Sequence, residues 1–197
     1  MNTLEAIKTR RSTRKFSDRR VELEKLDKIV SAGRFAPSGG NSQTCHFIVV
    51  RRKKVLTKLA ELAQIAFSKM EITEDMYKSI ANSVRASKNG GYVFHYDPDA
   101  LIIVANRKDY GNNIADTACA LENMMIAANE LDIGSCWINQ LKWLNEDEAL
   151  LEYEHTLGLE ENERIYGALA VGYADTVDGM PCREPLERTG NKVTYIG

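Results

Sequence analysis

Apolar residues recur along this chain in two rhythms, a helical spacing of three or four and short unbroken runs, and polar breaks separate one from the next. Leu4 and Ile7 share a helical face, so residues 3–10 are predicted as a short helix with Thr3 as its N-cap. Leu23, Leu26, Ile29 and Val30 form the stripe of a second helix over 22–32, with Gly33 as the expected stop. Phe47-Ile48-Val49-Val50 is an apolar run bounded by polar residues, the pattern of a buried strand. Val55, Leu59, Leu62 and Ala66 return to helical spacing over 53–66, and residues 100–105 read as a second buried strand.

The longest helix is predicted over 112–131, where alanines at 115, 118, 120, 127 and 128 alternate with Leu121, Met124, Met125 and Leu131. Apolar over much of its circumference, it suits a core or a subunit interface. Gly134 is expected to end it and to lead into a strand over 135–138. Asn145 with Glu148 predicts a capped helix over 146–157, and residues 165–173 a last strand in which Gly167 and Gly172 permit close approach. Residues 67–98 are harder to read. Thr73 is a candidate cap for a helix carrying Met76, Ile80 and Val84, and the segment is either a mobile lid or a packed surface helix. The polar tail, 174–197, is expected to wrap over something else.

No repeat or linker divides the chain, and 197 residues suffice for one domain that buries its own core. A hydrophobic fraction of 44% and a net charge of −2 describe an ordinary soluble protein and give no basic excess of the kind that nucleic acid requires. The four cysteines lack paired spacing, and adjacent Cys45 and His46 would point to opposite faces of a strand, so neither a disulfide framework nor a metal site is expected. Cys136 has no base beside it in sequence and reads as a packed thiol. The N-terminus shows no apolar signal core and no stretch is long enough to span a membrane, which predicts a cytoplasmic protein.

Two polar stretches stand out from this background. Arg10-Arg11-Ser12-Thr13-Arg14 puts three guanidinium groups and two hydroxyls within five residues, donors that match phosphate oxygens. Ala36-Pro37-Ser38-Gly39-Gly40-Asn41-Ser42-Gln43 is a polar loop between helix and strand, where glycines let backbone approach a ligand. Neither G-x-G-x-x-G between strand and helix nor G-x-x-x-x-G-K-[ST] occurs, so a dedicated dinucleotide or ATP domain is not supported.

In order and spacing these two stretches resemble the nitroreductase family, which opens with Arg-Arg-Ser-x-Arg and follows with Ala-Pro-Ser-x-x-Asn-x-Gln. The resemblance continues in Gly134-Ser135-Cys136-Trp137-Ile138, in Ala170-Val171-Gly172-Tyr173 and in Arg183-Glu184-Pro185-Leu186. It departs at Thr44, where the family commonly has proline, and over 67–98.

The resemblance implies a single α+β domain with a central mixed, mostly antiparallel sheet of four or five strands flanked by helices. It also implies a homodimer that binds FMN at its interface, with the tail crossing over. NADH or NADPH would be a transient electron donor and a nitro compound, quinone or similar small molecule the acceptor. Arg10, Arg11, Ser12, Arg14 and Arg183 would hold the FMN phosphate. Pro37, Ser38, Asn41 and Gln43 would reach the flavin from the other subunit, and the backbone of Gly134 and Ser135 would lie near the ring's reactive nitrogen. No protein side chain need be catalytic, because the flavin carries the chemistry. Two alternatives share the cofactor: a specialised enzyme for dehalogenation or enone reduction, and a flavin-binding or sensing protein without turnover.

Overall fold

The computed structural model describes all 197 residues. Four strands, β1 (His46–Val50), β2 (Ala100–Arg107), β3 (Gly134–Ile138) and β4 (Glu163–Gly172), form one sheet in the order β1-β2-β4-β3 with every neighbouring pair antiparallel. Seven helices surround it: α1 (Thr3–Thr9), α2 (Leu23–Arg34), α3 (Lys53–Ser68), α4 (Lys78–Asn89), α5 (Asn113–Glu130), α6 (Gln140–Trp143) and α7 (Glu148–Thr156). This is the α+β architecture expected from the sequence.

Residues 100–105 of β2 and 168–171 of β4 are apolar without interruption because both faces of the sheet are covered there. Alternation divides their side chains: Leu101, Ile103 and Ala105 enter a core with α3, α4, α6 and α7, whereas Ile102 and Val104 enter a second core with α2 and α5. Leu26, Ile29, Leu121 and Met124 fill that second core. No helix is long and apolar enough to cross a membrane.

Several predicted boundaries move, each because a distant neighbour decides it. Gly33 sits in the last turn of α2, which runs one residue past it, and an added Cβ there would stand 2.9 Å from Met124 Cγ and 3.0 Å from Phe47; it lets α2 close on α5 and β1. Gly134 does not end α5. The chain turns at Asp132, which has φ of 63°, and Gly134 belongs to β3, where a Cβ would meet Thr13 at 2.8 Å. Asn2, not Thr3, caps α1 by accepting from Glu5 N–H at 2.9 Å. Asp147 caps α7 from Leu150 N–H at 3.0 Å, and Asn145 instead brackets Ile165, donating to its carbonyl at 2.8 Å and accepting from its N–H at 3.1 Å.

Within 67–98, α4 lays Ala81 and Val84 on α3, and Thr73 donates to Asp75 instead of capping. Phe94 is buried in the core, and Tyr92 is tied by its hydroxyl to Ser83 and Gln140 at 2.9 and 3.0 Å. His95 donates from Nε2 to Leu56 O and accepts Asp97 N–H at Nδ1, fixing the turn that follows.

Candidate functional site

Arg10 ends α1 with ψ of 130°, so the chain leaves the helix extended and runs along the open edge of β3. Thr13 N–H donates to Ser135 O at 2.9 Å, with Ser12 opposite Ser135 in a parallel bridge. Side chains of an extended segment alternate in direction, and this sorts the cluster into two sets. Arg10, Ser12 and Arg14 lie on the side of Cys136, whose thiol is pushed up by burial while Arg14, the nearby Ser12 hydroxyl and Arg10 pull it down. Thr13 covers Gly134, and Arg11 turns towards the tail.

The two sets differ in their partners. Arg10 makes no side-chain hydrogen bond or ion pair; the Arg14 guanidinium has only the Tyr96 ring, 5.9 Å from its centroid. Arg11 instead donates to three main-chain carbonyls, Glu184 O at 2.5 Å, Lys8 O at 3.0 Å and Arg10 O. Arg183 donates to Asn129 Oδ1 at 3.2 Å, Asn129 O at 2.5 Å and Asp132 Oδ1 at 2.5 Å. Both tail and N-terminus therefore meet at this corner, and Arg11 and Arg183, expected to hold a phosphate, spend their donors on the protein. A cation suits that place, since the last carbonyls of α5 have no helical partner. Gly134 and Ser135 are buried behind the segment, not open to the corner.

The second stretch lies at the other end of α5. Pro37 leads into a single 3₁₀ turn, Gly39–Asn41, and none of those three residues is buried. Gly40, Asn41 and Gln43 have φ of 60°, 55° and 51°. Ser38 Oγ accepts Gln43 N–H at 3.1 Å and closes the loop on itself. Asp116, buried near the start of α5, accepts from Gly39 N–H at 3.1 Å, Tyr110 OH at 3.1 Å and Ser42 Oγ at 3.4 Å.

Asp116 and Asn129 thus anchor the two stretches on one helix. Thirteen residues at about 1.5 Å each separate them by about 20 Å. Sequence reading missed Asp116, Tyr110, Asn129 and Tyr96 as members of the site. Asp116 lies in the first turn of α5, where an acidic residue is ordinary, and α5 also carries Glu122 and Glu130, so no local signal singled it out.

The faces around these stretches are open and apolar. Leu4 and Ile7, predicted to share one face of α1, are 79% and 48% exposed, and only Ala6 of that helix is buried. Phe35 at the end of α2 is 85% exposed. Their outward direction leaves an apolar surface beside α5.

Comparison with known proteins agrees with the fold. The nitroreductase family model matches residues 7–173. A solved nitroreductase with bound FMN from Bacteroides fragilis superposes with a TM-score of 0.85 at 34% identity, covering all of both chains. A relative from Archaeoglobus fulgidus, provisionally named an NADH dehydrogenase/NAD(P)H nitroreductase, is 32% identical over 86% of this chain and 84% of its own. The FMN reductase (NADPH) of Bacillus subtilis is 26% identical over 98% of this chain and 74% of its own. The chain belongs to the nitroreductase family.

Proposed function

We propose that this protein is an FMN-dependent oxidoreductase that takes a hydride from NADH or NADPH and delivers reducing equivalents to a nitro compound, quinone or similar electron-poor acceptor. The observation that carries the reading is the donor set of Arg10, Ser12 and Arg14 on one face of an extended segment. Neither arginine has a carboxylate partner, so both guanidinium groups are available to a dianionic phosphate. FMN supplies the redox chemistry when bound; the protein binds, orients and shields it. Arg10, Ser12 and Arg14 hold its phosphate end, while Arg11 and Arg183 brace the corner from behind and add positive charge. Gly134 and Ser135 fix the segment through Thr13.

The active unit in this reading is a homodimer. Pro37, Ser38, Asn41 and Gln43 lie about 20 Å along α5 from the arginine corner, and a second copy packed on the apolar faces of α1, α2 and α5 brings its loop to the first copy's corner. Val193, Tyr195 and Ile196 in the tail are 70%, 92% and 93% exposed, which suits a tail that crosses to the partner. Residues 90–97 border the corner through Tyr96 and influence which acceptor enters. Four unpaired cysteines suit a cytoplasmic location.

The test is direct. Protein purified in the dark should be yellow, bleach on anaerobic addition of NADH or NADPH, and recover colour with a nitroaromatic or a quinone. Colourless protein that takes up no FMN on titration would overturn the assignment; flavin-loaded protein that neither donor reduces would favour a storage or sensing role.

A further inference from the structure

The loop carrying Ser38, Asn41 and Gln43 is held in an unusual way. Three of its residues, two of them not glycine, sit at positive φ, a conformation that costs free energy and persists only when surroundings enforce it. Apolar packing does not enforce it here. The 3₁₀ turn has no buried residue, and a cavity of about 130 Å³ lies behind the loop, between Pro37, Ser38 and Gln43 on one side and Cys45, Phe47 and Asp116 on the other.

What remains is polar. Beyond bonds to its immediate chain neighbours, every hydrogen bond from residues 37–43 ends on Asp116 or Tyr110: Gly39 N–H and Ser42 Oγ to the carboxylate, Ser42 Oγ to Tyr110 OH at 3.0 Å, and Tyr110 OH to Gly39 O at 3.0 Å. The hydroxyl has a single proton, so Tyr110 donates to Gly39 O or to the carboxylate at any instant, and Asp116 can accept from all of its neighbours. Gly39 itself is gripped closely, since a Cβ there would clash first with the Asn112 amide and then meet Tyr110 Oη at 2.6 Å.

We propose that Asp116, assisted by Tyr110, is the positioning residue of this loop, holding Ser38, Asn41 and Gln43 in the arrangement that a bound flavin meets. The inference rests on the FMN reading above. Because the clamp acts on the loop and not on the arginine corner, its loss should weaken flavins with and without a phosphate by the same factor.

Fluorescence titration with FMN and with riboflavin tests this in three steps. Asp116→Asn, which keeps the shape but replaces an acceptor with a donor, should weaken both flavins by about tenfold or more. Tyr110→Phe should weaken both by a smaller common factor and serves as the main probe if Asp116→Asn does not fold. Asn41→Ala should lose affinity in the wild-type background and much less in the Asp116→Asn or Tyr110→Phe background, a coupling that a general loss of stability would not produce. Unchanged flavin affinity in the folded clamp variants, or an Asn41→Ala effect equal in both backgrounds, would overturn the proposal. Wild-type protein that binds neither flavin would instead overturn the cofactor reading itself.

Discussion

Arg183 grips Asn129 twice, through Nε to Oδ1 at 3.2 Å and Nη2 to the main-chain carbonyl at 2.5 Å, and Asn129 Nδ2 in turn donates to Ala6 O at 3.0 Å and Thr9 Oγ1 at 3.1 Å. The tail is thereby connected through α5 to the helix that launches the arginine segment. Replacing Arg183 by alanine should lower the thermal stability of flavin-free protein as well as its FMN affinity. Arg10→Ala and Arg14→Ala should leave flavin-free stability nearly unchanged and weaken FMN by about 1.5–3 kcal/mol, roughly ten- to over a hundredfold. Calorimetry beside flavin titration separates the two classes, and wild-type FMN affinity in both Arg10→Ala and Arg14→Ala would refute the division.

A shared site makes cofactor retention depend on concentration. Phe35→Asp puts a charge on the exposed apolar face beside α1 and α5, and should shift the protein towards monomer and release FMN together. Analytical ultracentrifugation with detection in the flavin band reads both. A monomer that keeps one FMN per chain would refute the shared site.

The acceptor should respond to Tyr96, whose ring lies beneath the Arg14 guanidinium at the border of the corner. Tyr96→Leu removes a cation–ring contact worth about 0.5–1 kcal/mol, two- to fivefold in FMN affinity, while changing the relative kcat/KM for a nitroaromatic and a quinone. Steady-state kinetics with both acceptors decides; an unchanged ratio would remove residues 90–97 from the acceptor path. Shortening the chain at Gly90 and Gly91, exposed and both at positive φ, is an independent probe of the same segment.

Glu154 predicts a pH dependence of stability. Both carboxyl oxygens are buried without a hydrogen-bond partner, and burial pushes its pKa up to about 8, with Asp147 adding to the rise and Arg164 opposing it. A carboxyl raised on folding contributes stability that is fully present below its unfolded value of 4.5 and is lost as pH climbs towards 8. The slope within that window approaches about 1.4 kcal/mol per pH unit from this group alone. Urea unfolding between pH 5 and 8 should show stability falling in the wild type and a flatter profile in Glu154→Gln. Equal slopes in the two proteins would show that Glu154 ionises in the folded state as it does in the unfolded chain.

The elements and their class were legible residue by residue, because hydrophobic period is a local property. Uninterrupted apolar runs marked β1 and β2, and helical spacing marked α2, α3 and α5 to within a few residues. The order of Arg10 to Arg14 and of Ala36 to Gln43 carried the family resemblance for the same reason. What each polar or small residue meets was settled by folding. Gly33 lies in the last turn of α2 and is also a contact point with Met124, Gly134 looked like a helix stop but meets Thr13 from β3, Asn145 looked like a cap but brackets Ile165, and the face shared by Leu4 and Ile7 is turned out. The arginine cluster was legible as a concentration of donors of the kind that suits a phosphate. Its division into free and braced guanidinium groups follows from the strand that it runs beside, and the clamp on the loop comes from Asp116, more than seventy residues downstream. Such partners are brought together by folding, and no local pattern records them.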